Sequence, residues 1–188
     1  MQPWAIALIV VGAVLLVVGI YWIATRNKLV ASKIELDEGF SAMDVSMKKR
    51  YDLIPNLVET VKGYAKHEKS TLEAVISARN LAMTATDPEA KNKAEQNLTG
   101  TLKTLFALSE NYPELQANTN FLDLQTQLKE IETEIANSRR YYNAIVTKYN
   151  KSVQFFPSNI VAKSMKYKPA SMFQLDNIEE RKNVKVEF

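Results

Sequence analysis

The one histidine of the chain, His67, stands in Lys66-His67-Glu68-Lys69. A zinc or di-metal centre needs several ligands at tight spacing, and neither an H-E-x-x-H nor a Glu-x-x-His pair accompanies it. His67 is therefore expected on a solvated surface. Glu130, Glu132 and Glu134 form a dense carboxylate group, but acids two apart on a helix fan around it rather than converge, which makes them a solvated face. Arg139 and Arg140, followed by Tyr141 and Tyr142, are placed to bridge helices, because a guanidinium forks onto a neighbouring carboxylate. A structural ion pair is the expectation there, ahead of a ligand site. Five scattered glycines make no G-x-G-x-x-G, P-loop or G-x-S-x-G, which removes phosphate cradles and the nucleophile elbow. This inventory assigns no catalytic, cofactor-binding or metal-binding residue.

The stretch that positions everything else is Trp4 to Ala24, WAIALIVVGAVLLVVGIYWIA, with no charge, amide or proline. As a helix it is about 32 Å long, matching a hydrocarbon core of about 30 Å. Trp4 at one end and Tyr21 and Trp22 at the other are placed as interfacial aromatics, and Arg26 and Lys28 follow as charged stops. A buried core helix is disfavoured, because a small domain cannot surround a helix that is apolar on every face. A cleaved signal peptide is disfavoured too, since Met1-Gln2-Pro3 lacks a basic residue, the run is long and no A-x-A site follows. Residues 1–25 are thus expected to be a single membrane anchor. Arg26, Lys28 and Lys33 just after it favour an outside N-terminus and a cytoplasmic domain.

The remainder is long enough for one domain with its own core. Few Gly (5) and Pro (6) and many Ala, Leu, Lys, Glu, Asn and Gln indicate an all-α chain. The 24 basic and 21 acidic residues are mixed along it, for a net charge of +3, so no broad cationic field for nucleic acid exists. Without cysteine there are no disulfides, thiolate metal sites or lipoprotein anchor.

Apolar residues recur three and four apart at Leu36, Phe40, Met43, Met47, Ile54, Leu57, Val61 and Tyr64, then at Leu72, Val75 and Ile76, the pattern of a buried helical face. Pro55 interrupts it, as either a kink or a turn with Asp52 as cap. Asp87-Pro88-Glu89 starts a helix that stops before Pro113, and Asn118 caps the longest one, apolar at Phe121, Leu124, Leu128, Ile131, Ile135, Tyr142, Ile145, Tyr149 and Val153 until Pro157. Length favours a turn at Pro55. A straight helix from Leu29 to Met83 rises about 83 Å and leaves the last helix, of about 57 Å, partly without partners, whereas pieces of about 35, 44, 38 and 57 Å pack side by side. The expected fold is an N-terminal transmembrane helix followed by an elongated antiparallel four-helix up-and-down bundle over residues 26–156. Residues 157–188 then form an amphipathic patch and a tail without period. In Phe155 to Lys168, aromatic and aliphatic bulk beside Lys163, Lys166 and Lys168 suits either an anionic headgroup layer or a cap on the bundle's end.

The run from Arg50 to Glu68, RYDLIPNLVETVKGYAKHE, resembles the signature of the LemA family. Glu110-Asn111-Tyr112-Pro113-Glu114-Leu115, Arg139-Arg140-Tyr141-Tyr142-Asn143, Tyr149-Asn150 and Phe156-Pro157-Ser158-Asn159 are similar to its later blocks, in order. The resemblance implies a bacterial single-pass protein of the cytoplasmic membrane with a short outside N-terminus and a helical cytoplasmic domain. It implies no catalytic residues. Related members include a magnetosome-membrane protein, and members often sit beside genes for a membrane protease, which points to membrane organisation or envelope quality control.

The leading expectation is a non-catalytic, membrane-anchored scaffold or adaptor. Its partners are other membrane or envelope proteins, a membrane protease among the candidates, and further copies of itself; no cofactor, nucleic acid or small-molecule substrate is expected. The stripe from Leu29 to Met47 and the span residues Gly12 and Gly19 are the sequence features behind self-association. The alternative is a hydrolase or other enzyme with an unrecognised site. A pocket with convergent titratable groups near His67 or Arg139 would favour it.

Overall fold

The computed structural model describes residues 2–173, all helix and turn with no strand among them. The helices are α1 (Pro3–Tyr64), α2 (Lys69–Thr84), α3 (Pro88–Ser109), α4 (Pro113–Gln116), α5 (Thr119–Gln154) and α6 (Ser158–Ser164). The tail beyond residue 173, assigned no period above, lies outside the described residues. The first part of α1 is long and apolar enough to cross a membrane, and no residue from Trp4 to Ala24 is buried.

The turn expected at Pro55 is absent. Helix α1 runs through Pro55 without a break for 62 residues and turns only after Tyr64, where Lys66 and His67 are exposed and Ala65 is buried. Asp52 caps nothing and instead pairs with Lys48 one turn earlier at 3.0 Å. Proline inside a helix leaves the carbonyl four residues earlier without its donor. That carbonyl belongs to Tyr51, and Arg79 Nε of α2 donates to it at 2.7 Å. A long-range donor thus replaces the local one. The turn that does form is held from outside: Tyr112 Oη donates to Glu68 Oε1 at 3.1 Å, and Asn118 Nδ2 donates to the Tyr64 hydroxyl at 2.9 Å.

Later helix starts follow the local chemistry. Asp87 accepts from the backbone N–H of Glu89 and Ala90, with Pro88 in the first turn of α3, and Asn118 Oδ1 accepts from Phe121 N at the head of α5 at 3.0 Å. Along α5 a seven-residue step joins Phe121, Leu128, Ile135, Tyr142 and Tyr149, all buried, the seam of a helix packed along its length.

The chain divides into two compact units. The first comprises Met1–Ser41 with Tyr141–Ala170, the second Ala42–Arg140 with the chain from Ser171. In the first unit, α1 is buried at Thr25, Leu29, Ser32, Leu36 and Gly39, and α5 at Tyr142, Ile145, Val146, Tyr149 and Val153. Glu35 pairs with Lys148 at 2.8 Å, and Phe40 meets Tyr142 edge-on with ring centroids 5.8 Å apart, so the two segments run antiparallel. They touch closely at Gly39, where a Cβ would lie 2.7 Å from Ile145 Cδ1. After α6, whose Val161 and Ala162 are buried, the chain doubles back. Asn150 holds it by donating to the Ala170 carbonyl at 2.9 Å and accepting from Ala170 N at 2.8 Å.

In the second unit, α1 buries Met43, Met47, Ile54, Leu57 and Val61, α2 buries Leu72, Val75, Ala78 and Ala82, and α3 buries Leu98, Leu102 and Leu105. The stripe of Leu29 to Met47 is thus used inside the chain, and core packing accounts for it.

Candidate functional site

Charged residues interrupt the apolar faces of the second unit at three buried positions. Arg50, Lys91 and Glu95 are 1%, 4% and 2% exposed. A charge taken out of water must be paired and hydrogen-bonded; each of these is paired, although Arg50 Nε has no hydrogen-bond partner among the described residues. Arg50 meets the Glu95 carboxylate through Nη2 and Glu132 Oε2 of α5 through Nη1 at 2.6 Å, and its Nη1 also reaches Thr99 Oγ1 at 3.2 Å. The other oxygen of Glu95 accepts from the Tyr51 hydroxyl. Lys91 pairs with Asp44 at 2.7 Å and lies 5.4 Å from the centre of the Tyr51 ring, a cation–π arrangement. Burial, followed by the charge of Glu95, pushes the Tyr51 phenol well above its ordinary value. The cluster ties α1 to α3 and α5.

Glu132 is therefore not merely part of a solvated face. It holds the Arg50 guanidinium, while Glu134 pairs with Lys49 at 2.8 Å. The fan geometry of that acidic run is as expected; what differs is that one blade of the fan reaches a buried partner.

Beside the cluster a groove of about 670 Å³ runs between α3 and α5. Leu102, Phe106, Leu128 and Ala136 give it apolar walls, and Lys103, Lys129 and Arg139 bring positive charge. The ion pair expected for Arg139 does not form among the described residues. Its Nε is buried without a hydrogen-bond partner, and burial lowers its pKa, opposed chiefly by the charge of Glu132. A partly desolvated guanidinium with no direct counter-ion attracts a carboxylate. Arg140, by contrast, is exposed and donates to Asn137 Oδ1.

The groove meets at Arg139, and not at His67, the condition that would favour an enzyme. The carboxylate among its lining residues, Glu132, holds Arg50 and is not a free base, and among the described residues no three His, Cys, Asp or Glu side chains gather as metal ligands. Of these features, sequence reasoning singled out Arg139 and Glu132 and missed Lys91 and Glu95. The missed signal was a phase: stepping back from Leu98 by three and then four residues lands on Glu95 and Lys91, charges in line with an apolar stripe.

The sequence itself has known relatives. Residues 39–188 match the model of the LemA family. The chain is similar to protein LemA of Metamycoplasma hominis, 26% identical over 172 residues that cover 88% of this chain and 77% of that protein. Two proteins of Paramagnetospirillum magneticum, magnetosome proteins MamQ 2 and MamQ 1, are each 36% identical over 70 residues, 37% of this chain and 26% of their own length.

Proposed function

The chain belongs to the LemA family, and from that footing we propose that it is a membrane-anchored adaptor that performs no catalysis and acts by holding other proteins at the membrane. The anchor is residues 1–25 and the helical bundle residues 26–156, with α6 packed into the first unit through Val161 and Ala162. The bilayer is the bacterial cytoplasmic membrane, with Arg26, Lys28 and Lys33 favouring an outside N-terminus and a cytoplasmic bundle. Membrane or envelope proteins, a membrane protease among them, and second copies of the chain are the partners of this reading. Likeness to proteins named for the magnetosome supports a role in organising membranes over a reaction.

The observation that carries the reading is the groove of the second unit. It offers apolar walls and an Arg139 guanidinium without a counter-ion, the complement of a partner segment that alternates apolar side chains with carboxylates. It offers no nucleophile paired with a base.

The test is affinity purification of the full chain in mild detergent with mass spectrometry of what accompanies it, run in parallel on Arg139→Glu and Lys129→Glu. A partner captured by the parent chain and lost from both folded variants supports the reading. Identical recovery from all three would remove the groove from the function, and turnover of a substrate by the purified chain would overturn the adaptor.

A further inference from the structure

The first unit is one-sided in charge and in exposed apolar surface, and both features gather where α1 leaves its apolar run. Between residues 141 and 170 there are five lysines and no Asp or Glu, and along α1 no acid precedes Glu35. Lys148 and Lys33 are satisfied by Glu35 and Asp37. Arg26, Lys28, Lys151, Lys163, Lys166 and Lys168 form no ion pair among the described residues, and all but Thr25 and Leu29 of residues 24–30 are exposed.

Register places the aromatic residues at the same level. The Glu35–Lys148 pair sets α1 against α5 in antiparallel fashion. Both helices rise about 1.5 Å per residue, so seven residues onward from Lys148 and seven back from Glu35 lie level, which puts Phe155 at the height of Lys28. That is about 6 Å beyond Ala24, the last residue of the apolar run. The segment from Phe155 then sorts into two sets. Val161 and Ala162, with Val153, turn inward and close the end of the unit, while Phe155, Phe156 and Ile160 remain 62%, 80% and 52% exposed. Packing within the chain accounts for the first set and leaves the second uncovered.

We propose that this end of the first unit is a lipid-contact surface. Phe155, Phe156 and Ile160 enter the interfacial layer beside the anchor, and Lys151, Lys163, Lys166 and Lys168, with Arg26 and Lys28, take the phosphates of anionic headgroups. Aromatic bulk at headgroup depth and unpaired cations around it are the two halves of interfacial binding, and continuity with the span names the bilayer as the occupant. The inference rests on the membrane anchor of the reading above and goes beyond it, since an adaptor needs only the anchor to stay at the membrane.

Because the chain contains no cysteine, single nitroxide labels report depth directly. The full chain is reconstituted in lipid nanodiscs of phosphatidylcholine with and without phosphatidylglycerol, carrying a label at Phe156→Cys, Ile160→Cys, Leu15→Cys or Asn80→Cys, and collisions with oxygen and with a water-soluble nickel chelate are compared. Expected is a several-fold higher oxygen-to-nickel ratio at positions 156 and 160 than at the solvated Asn80 position. The ratio should grow with phosphatidylglycerol and shrink at high salt or when Lys163, Lys166 and Lys168 are changed to Gln. Nickel access at position 156 equal to that at position 80, with position 15 still in lipid, overturns the surface and leaves the anchor standing. A label at position 15 open to nickel overturns both. Protection of position 156 from both reagents, with dipolar broadening between labels, means a second copy covers it and also refutes lipid contact.

Discussion

The two units use charge in opposite ways. In the second, Arg50 and Lys91 pair with Glu95, Glu132 and Asp44, three of the five being buried. In the first, the segment from residue 141 to 170 contributes cations alone, and the core is made of aromatic and aliphatic side chains with a close approach at Gly39. Internal pairing makes a lock, because a buried ion is tolerated only with its partner in place. Unpaired cations of one sign stay in water, or at a surface that supplies the anions. One unit is thus built to be specific inside and the other to be selective outside.

The sharpest way to break the comparison is to open the lock. Arg50→Met leaves Glu95 buried without its cation and should cost about 3–5 kcal/mol of unfolding free energy. Arg50→Met with Glu95→Leu should recover much of that, because no uncompensated charge remains. Urea titrations of the full chain in detergent, followed by circular dichroism, separate the two. If the single variant unfolds with the parent, the cluster holds nothing together.

A smaller effect tests the phenol of the lock. Tyr51→Phe removes a hydrogen bond to a carboxylate and should cost about 1.5–3 kcal/mol near neutral pH. It should also change the alkaline limb. Burial raises the pKa of Tyr51 in the folded state, and to a lesser degree those of Tyr142 and Tyr149. The resulting stability is present below the unfolded tyrosine value of about 10 and is lost as pH rises past it toward the folded value. Denaturation midpoints measured from pH 8 upward should therefore fall beyond about pH 10 in the parent, and less steeply in Tyr51→Phe.

The proline substitute is next. Arg79→Leu leaves the Tyr51 carbonyl without a donor and should cost about 1–3 kcal/mol. In a Pro55→Ala background the helix supplies that donor itself, so the same substitution should cost clearly less. Additive effects would show that Arg79 contributes through something other than that carbonyl. Glycines give the smallest contrast. Gly100→Ala in α3 meets nothing within 4 Å and should stabilise by about 0.5–1 kcal/mol. Gly39→Ala displaces the tip of Ile145, and its propensity gain should be cancelled, which thermal melts of the pair would reveal.

Helices were legible wherever the signal was local. Asp87 with Pro88, Asn118, and the seven-residue seam from Phe121 to Tyr149 act within a turn or along one face, so spacing alone exposes them. Pro55 was misread because what decides it is not local. The spacing of Met47, Ile54, Leu57 and Val61 ran in register through the proline, and the carbonyl it orphans, that of Tyr51, finds its donor in Arg79, 28 residues further on. Helix lengths alone set an end at Met83 against an end at Pro55, whereas the chain ends the helix at Tyr64. The buried cluster was half visible: Arg50 lies in phase with Met43, Met47 and Ile54, but its partners Glu95 and Glu132 come from two other helices, and no spacing rule links them. Arg139 was recognised as unusual for its type and assigned a partner that geometry does not provide.

The Arg79–Tyr51 bond carries a consequence for α1 itself. A proline inside a helix leaves a carbonyl without its helical donor, and here the donor that takes that place belongs to α2. Helix α2 is a splint. Any event that peeled it from α1 would expose the Tyr51 carbonyl to water, whose molecules wedge into such gaps and bend a helix. The satisfaction of the backbone at Pro55 is therefore a tertiary property rather than a local one, and the residue that reads as a breaker in the sequence depends on its neighbour for the bond it removes.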